Sequence, residues 1–459
     1  MAVGGVVEAS EFGSKNMKIG DSSIFVVEGD TESVPSINMT QSDFSEITFW
    51  DGCVIECHEG IIEEMSGCTF SSITRSKGSG GCICIANSGD DNDGKDYKVE
   101  INDCTFEGCA VVGEEEECGG GALFCEASSK TNLLINMCSF YCCTAPHEEG
   151  SVGYGGGIML KILKQEEEGK AVFVISSPVF SFEKPNNAKY GKDLFISSPS
   201  LITSIKNETL PFVKDRLKLL TEDSIRGYDE GNRECAIPLI YFWKSVGSSV
   251  NVAEEGNNVV VCGFPNLPCK AVDYGLNRGS NSSLELMTIQ GVCDVRSEMS
   301  VSGMKVEGTD GESDRIQFIQ SLEGDEDPVI ECKGIVQFEE VGMLIPTTFN
   351  NGANILIHTG SDAIKTSVAG CSIHMSDNAE DEVSFVLISA SKKIVEIEKT
   401  KITGFSTMHE IMSISADCVT TMNNVSFEDI SLSRKSAIEM SESVISGMEN
   451  DNAEEMWNI

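Results

Sequence analysis

The sequence predicts an all-β fold wound as a parallel β-solenoid. Three features predict it: a recurrent Cys-Ser/Thr-Phe triplet, a recurrent Gly-Gly pair, and short strands that alternate apolar with polar residues. The triplet stands at Cys68-Thr69-Phe70, Cys104-Thr105-Phe106 and Cys138-Ser139-Phe140, at intervals of 36 and 34 residues. Between the triplets lie Gly80-Gly81-Cys82-Ile83, Gly120-Gly121-Ala122-Leu123 and Gly156-Gly157-Ile158-Met159. Two markers that keep the same order at nearly the same interval identify a structural repeat.

Each unit of the repeat carries period-two stretches. Tyr97-Lys98-Val99-Glu100-Ile101 leads into the second triplet, and Leu134-Ile135-Asn136-Met137 leads into the third. Alternation of this kind belongs to strands, and glycine-rich corners in series turn them into coils. Equivalent positions of successive coils then stack roughly 4.8 Å apart. Cys68, Cys104 and Cys138 are expected in one inward column, with Phe70, Phe106 and Phe140 beside it. Stacking buries apolar area that no single coil could bury by itself. Length differences between coils fall in polar, turn-rich inserts at residues 87–94, 113–117 and 145–150.

A different composition follows. Leu210 to Asp223 spaces Val213, Leu217 and Leu220 as on a helix and reads as a short helix or cap. Ser245 to Asn258, rich in Gly, Ser and Asn, reads as a linker. Beyond it the rhythm returns with fewer cysteines: Ile373, Ile402 and Phe427 end similar strands at intervals of 29 and 25 residues. The expected organisation is a Cys-rich solenoid over 1–205, a cap and linker over 206–258, and a second solenoid over 259–459. The competing reading is a β-sandwich, which also has regularly spaced strands.

Composition narrows the partners. In 459 residues, 33 Lys and Arg face 73 Asp and Glu, a formal charge of −40. That balance excludes the basic footprint that nucleic acid requires and disfavours anionic membrane surfaces. An apolar share of 40% with a mean hydropathy of −0.07 supplies a substantial core. No run of eighteen apolar residues offers a transmembrane helix, so no membrane insertion is expected of this chain. No basic segment followed by an apolar run opens it, so no signal peptide is read there. The expectation is a piece of a longer surface or secreted chain, with a cytosolic protein as the alternative. Of 19 cysteines, 12 lie between Cys53 and Cys143. They fit either an oxidising compartment or a reduced, buried set, since free cysteine is a small hydrophobe.

The Cys-Thr-Phe and Gly-Gly repeats resemble right-handed parallel β-helix proteins of the pectin-lyase-like class. They are most similar to the large surface or secreted repeat proteins of anaerobic protists. Gly120-Gly121-Ala122-Leu123 and Phe182-Glu183-Lys184-Pro185-Asn186-Asn187-Ala188 also resemble passenger repeats of polymorphic outer-membrane proteins. In the protist family a segment like Asn187 to Ile196 closes one β-helix, and one like Cys262 to Gly275 opens the next. The resemblance therefore implies the tail of one right-handed parallel β-helix joined by a short helix and linker to the start of another. No catalytic residue carries over from it.

Pectin-lyase-like folds often act on polysaccharides, so a lyase or glycoside hydrolase is the alternative function. The signatures Asn-Thr-Asp, Gly-His-Gly and Arg-Ile-Lys do not occur, and the five histidines are scattered at 58, 147, 358, 374 and 409. Residues 89–100 approach a calcium loop, with Asp91, Asp93 and Glu100 at the third, fifth and twelfth positions, but Gly89 holds the first. They are the candidate calcium ligands; no cofactor is required, and weak calcium binding by acidic loops is expected. Cysteine spacing gives no zinc quartet. Cys262 and Cys269, flanking a short Pro-containing loop, are the disulfide candidates in an oxidising compartment. Four Asn-x-Ser/Thr sequons, at Asn38, Asn207, Asn281 and Asn424, are as many as chance supplies. The reading is a non-catalytic, elongated surface or secreted scaffold that binds a glycan or protein partner, as in adhesion, through acidic inserts gathered on one flank.

Overall fold

The computed structural model describes residues 6–446 apart from 30–33, 88–95, 114–117, 147–152, 164–172, 182, 206–207, 230–235, 245, 260, 279–283, 298, 311–312, 324–327, 347–354, 376–381, 384–385, 391–393, 404–405, 408–411, 415–417, 429–430, 433–437 and 441–443. The chain divides into two compact units, Met1–Lys244 and Ser245–Ile459.

In the first unit strands return in threes. Val6–Ser10, Gly13–Ile19 and Phe25–Glu28 make one coil; Ser36–Thr40, Asp43–Phe49 and Ile55–His58 make the next. Each strand pairs in parallel with its counterpart one coil on: Val6 with Ser36, Gly13 with Asp43, Phe25 with Ile55. Six coils, counted over the described residues, build three sheets, and the unit is a parallel β-helix.

The phenylalanine column sets the register. Phe44, Phe70, Phe106 and Phe140 pair in sequence across the second sheet. Their rings stack at centroid distances of 5.3, 4.9 and 4.9 Å, tilted by no more than 10°. Phe180 continues the column at 5.7 Å. Rings this nearly parallel require strands that hardly rotate from one coil to the next. Sheets usually twist by about 20–25° per strand, and side-chain ladders are what hold them flat.

Every passage from the first sheet to the second turns on one residue with positive φ: Glu11, Gln41, Gly67, Asp103, Met137 and Ser177. At four of the six the next residue supplies a donor. The Cys68, Cys104 and Cys138 thiols donate to the carbonyls of Ser66, Asn102 and Asn136, two positions back, at 3.3–3.6 Å. Ser42 makes the same bond to Thr40 at 3.0 Å. A thiol is a weak donor but a good small hydrophobe, and these corners are buried.

The glycine marker needs a correction. Leu123 pairs with Ile158, so Gly120 aligns with Gly155 rather than Gly156. Gly80, Gly120, Gly155 and Gly191 share a positive φ near 60–80°. A side chain there would strike the carbonyl of the residue three ahead, at 2.0–2.3 Å from a Cβ. Three consecutive glycines, Gly155 to Gly157, allowed the off-by-one alignment.

The first two sheets end at Phe173–Ser176 and Val179–Phe180, while the third runs on through Leu194–Ser198 and Ile225–Asp229 to an antiparallel Ile237–Pro238. Helices Leu201–Ser204 and Pro211–Arg216 occupy the place of further strands. The second is shorter than the spacing of Val213, Leu217 and Leu220 implies, and Leu217 follows it as its C-cap. Its Phe212 is buried against Phe180 at 6.0 Å and closes the column.

The second unit begins earlier than the sequence reading placed it. Ser249–Ala253, inside the expected linker, is a strand with Val250 and Val252 buried, and it pairs in parallel with Leu286–Gln290. Gly, Ser and Asn around it mask a two-residue alternation. Residues 206–258 thus divide between the units. Strands Ile330–Glu339 and Ile355–Ala369 are long enough to turn a corner and serve two faces of the coil. Ile373, Ile402 and Phe427 stand in register. The corner donor recurs, with Cys371 bonding to Ala369 at 3.4 Å and Thr400 to Glu398 at 3.0 Å. Helix Val272–Arg278 packs on the first strand of the unit.

Truncation inside the column should cost more than truncation at its end. Phe106→Ala is expected to lose about 3–5 kcal/mol in urea unfolding. Phe180→Ala, at 9% exposure beside the cap, is expected to lose less. Equal losses would contradict a continuous column.

Candidate functional site

The outer face of the third sheet in the first unit brings several ionisable side chains together. Glu56, Cys84, Phe124, Met159 and Phe195 follow one another across neighbouring strands and point outward. The column changes character along its length, polar at Glu56 and aromatic from Phe124 on.

At the polar end Ser23 Oγ donates to Glu56 Oε2 at 2.6 Å, and His58 Nε2 lies 3.0 Å from Glu56 Oε1. His58 stands two residues after Glu56 on one strand, so both side chains leave the same face. The His58 hydrogen bond, helped by Ser23 and Arg75 against burial, lowers the Glu56 acid to about 2. Glu56 in turn raises His58 above its ordinary value. A serine and a histidine that both address the carboxylate form no relay from serine to histidine, so the three do not make a nucleophile.

Arg75 crosses above them with its side chain only 7% exposed. Its Nε donates to Lys77 O at 2.6 Å, Nη1 to Ser79 O at 2.5 Å, and Nη2 to Asp51 O at 2.7 Å and Asp51 Oδ1 at 3.4 Å. Gly78 lies under the guanidinium, where a Cβ would meet Nη2 at 2.7 Å. A guanidinium committed to three carbonyls fixes the corner loop and has no geometry for taking a proton from a sugar carbon. Cys84 sits beside it, and burial pushes its thiol above the ordinary range.

At the aromatic end the face is covered by the chain itself. Cys118–Gly119 and Gly153–Tyr154 pair as a small outer sheet. Tyr154, Met159, Phe195 and Tyr228 form a second core beneath it, joined by Phe124 and Tyr190. Tyr154 packs on Phe195 at 4.5 Å and on Tyr190 at 5.6 Å. Gly119 permits the layer, since a Cβ there would fall 2.3 Å from Met159 Sδ.

Asp91 and Asp93 lie outside the described residues. Glu100 is on strand Tyr97–Asn102, paired with Lys98 at 2.6 Å and accepting from Asn102 Nδ2 at 3.1 Å. Among the described residues no three His, Cys, Asp or Glu side chains are grouped to hold a metal ion. Cys262 and Cys269 are joined as a disulfide at the start of the second unit. The acidic inserts leave from two different corners. Residues 88–95 connect the third sheet to the first, whereas 114–117 and 147–152 connect the second sheet to the third. The inserts themselves lie outside the described residues. Sequence reasoning missed Arg75 and the Glu56/His58 pair, whose spacing of two on a strand was the available signal.

Two outcomes follow. Glu56, depressed in the fold, adds stability above its ordinary pKa of 4.5 that is lost as pH falls toward about 2. His58, raised in the fold, adds stability below 6.5 that is lost as pH rises through its higher folded value. Solvent screening of this half-exposed pair holds the effect to about 1 kcal/mol. His58→Ala should move the Glu56 carboxyl titration, followed by NMR, back toward its ordinary range. Separately, burial pushes Cys57 up to about 12 and raises Cys53 as well, whereas Cys142 is exposed. A thiol reagent should label Cys142 in the native protein well before either of them; labelling of Cys57 at the same rate would refute the buried assignment.

No family model matches the sequence, and no curated protein is significantly similar to it. Among solved structures the chain is similar to a PL6 family alginate lyase, AlyGC, at 9% identity, over 94% of this chain and 87% of that one, with a TM-score of 0.25. At that identity and score the likeness says nothing of activity.

Proposed function

We propose that the protein is a non-catalytic β-helical scaffold that presents binding loops at its corners to a glycan or protein partner at a cell surface or outside the cell. The observation that carries this reading is the occupancy of the third-sheet face. Arg75 is bound to carbonyls, Glu56 is bound by Ser23 and His58, and an aromatic layer covers the rest. Such a face gives rigidity where a glycan-cleaving enzyme needs an open cleft with a carboxylate pair or a free base.

Ion pairs between coils point the same way. Lysine and glutamate pair between neighbouring coils, Lys161 with Glu126 at 3.1 Å, Lys305 with Glu339 at 2.6 Å and Lys365 with Glu396 at 2.5 Å. In this reading the inserts near residues 87–96, 113–118 and 145–150 are the recognition elements, with calcium held weakly by acids such as Asp91, Asp93 and Glu100.

The test replaces each of the three inserts with a short Gly-Ser turn. Binding to an array of neutral and acidic glycans should fall while the thermal midpoint is retained. Alginate, pectin and polygalacturonate should pass through without new reducing ends or unsaturated products. Turnover of any of them, abolished by Arg75→Lys with the fold intact, would replace the scaffold with the lyase reading.

A further inference from the structure

A cavity of about 230 Å³ opens where the coils of the first unit give way to helix. It is bounded by the last strand of the second sheet, by Ser181, Pro185, Asn186, Lys192 and Asp193, and by the chain after helix Pro211–Arg216. Its walls are of two kinds. Phe180, Leu219 and Leu220 supply apolar surface, although Leu219 is 57% exposed. Lys192, Asp193 and Arg216 supply charge. In a chain of net charge −40, two cations beside one acid make a local reversal of sign.

We propose that this cavity is a binding site for a small amphipathic monocarboxylate, an acid of about one ring in size. Size sets the first limit, because sites for drug-sized ligands run to roughly 300–1,000 Å³. Apolar walls set the second: an acid with a hydrocarbon body can cover Phe180 and Leu220, which a free phosphate cannot. Arg216 sets the third. One of its terminal nitrogens donates to Pro178 O at 2.7 Å, which fixes the guanidinium plane at the cavity wall. A planar guanidinium so held matches a carboxylate. Lys192, with its nearest carboxylate partner Asp223 at 4.0 Å, is the second cation.

Asp193 makes the site sensitive to pH. Asn186 Nδ2 donates to its Oδ1 at 2.9 Å, and Asn186 is itself buried and locked by Cys143 N–H and Phe140 O. Burial raises the Asp193 acid to about 6, against the opposing pull of Asn186, Ser224 and Lys192. The groups facing it are Asn186 from the corner, Ser224 from the chain after the helix, and Lys192 beside it. Arg216 shares the cavity, and Asp223 stands behind Lys192, paired also to Arg226 at 3.0 Å. Below about 6 Asp193 is neutral and can donate to the ligand; above it, its negative charge repels the ligand carboxylate.

Benzoate and hexanoate are the probes, with benzyl alcohol and inorganic phosphate as controls, titrated into the whole chain by calorimetry and ligand-observed NMR. Benzoate should bind at about pH 5 and weaken about tenfold by about pH 8. Arg216→Gln and Lys192→Gln should each weaken it, and Asp193→Asn should bind with the pH dependence removed. Because Arg216→Gln also removes the bond to Pro178, Leu219→Trp serves as a second variant that fills the cavity from its exposed edge. The proposal is overturned if benzoate does not bind at about pH 5, if Leu219→Trp leaves binding unchanged, or if either control binds as tightly. Loss of benzoate binding says nothing against the loops as recognition elements, which the glycan array reads independently.

Discussion

In-register stacking of each coil on the one before is the constraint from which the rest of the molecule follows. The intervals between successive phenylalanines of the column, Phe44, Phe70, Phe106, Phe140 and Phe180, are 26, 36, 34 and 40 residues. Coil length therefore varies by half while the stacking distance does not. Variation on that scale can enter only at corners, because a one-residue slip within a strand would turn every side chain to the wrong face. The corners are built to hold this line. At each passage from the first sheet to the second in the first unit a residue with positive φ turns the chain, and at several corners of the molecule a small donor closes the turn by bonding to the carbonyl two positions back. Main-chain bonds then carry the register onward, Thr105 N–H to Cys68 O and Ser139 N–H to Cys104 O, both at 2.9 Å.

What the sequence disclosed and what it hid divide along this line. The Cys-Thr-Phe triplet was legible because it combines the corner donor with the first inward ring of the next strand, two requirements met by adjacent residues. Its other members were hidden because the requirement is physical and tolerates substitution. Ser42-Asp43-Phe44 meets it with a hydroxyl, Thr400-Lys401-Ile402 with a hydroxyl and an aliphatic side chain, and Ser177-Pro178-Val179-Phe180 keeps the ring with no donor. The turning residue is less legible still. Glu11, Gln41, Gly67, Asp103, Met137 and Ser177 have a backbone angle in common and no side-chain chemistry. Ser249–Ala253 escaped notice for the opposite reason: its two buried valines sit among residues that are elsewhere the mark of a loop.

The third-sheet face was harder to foresee than the fold. Glu56 and His58 lie two apart on one strand, and that spacing could have been read. Arg75 could not, because its partners come from Asp51 in the preceding coil and from the loop Lys77 to Ser79. Long-range convergence of this kind depends on which coil lies over which, and an insert of a few residues in either would alter it. The aromatic layer of Tyr154, Phe195 and Tyr228 is equally non-local, assembled from three successive coils. It resembles core in composition but lies outside the sheet, so periodicity alone would place it inside.

A stack of coils has no natural end, and how it stops decides where open space can form. Along the faces, identical or complementary residues meet from coil to coil and close-packing leaves no room. At the end of the first unit the third sheet continues, but the first two are replaced by short helices. Helix and strand differ in rise and in the spacing of their side chains, so a helix laid where strands should follow cannot match the last coil at every position. Phe212 meets Phe180 and satisfies the column of rings. A few residues away, where Asn186 and Asp193 hold the corner and Arg216 ends the helix, the mismatch is left unfilled. The cavity is thus a consequence of terminating a repeat with a different secondary structure. Its charged lining sets two cations and a desolvated acid around open volume.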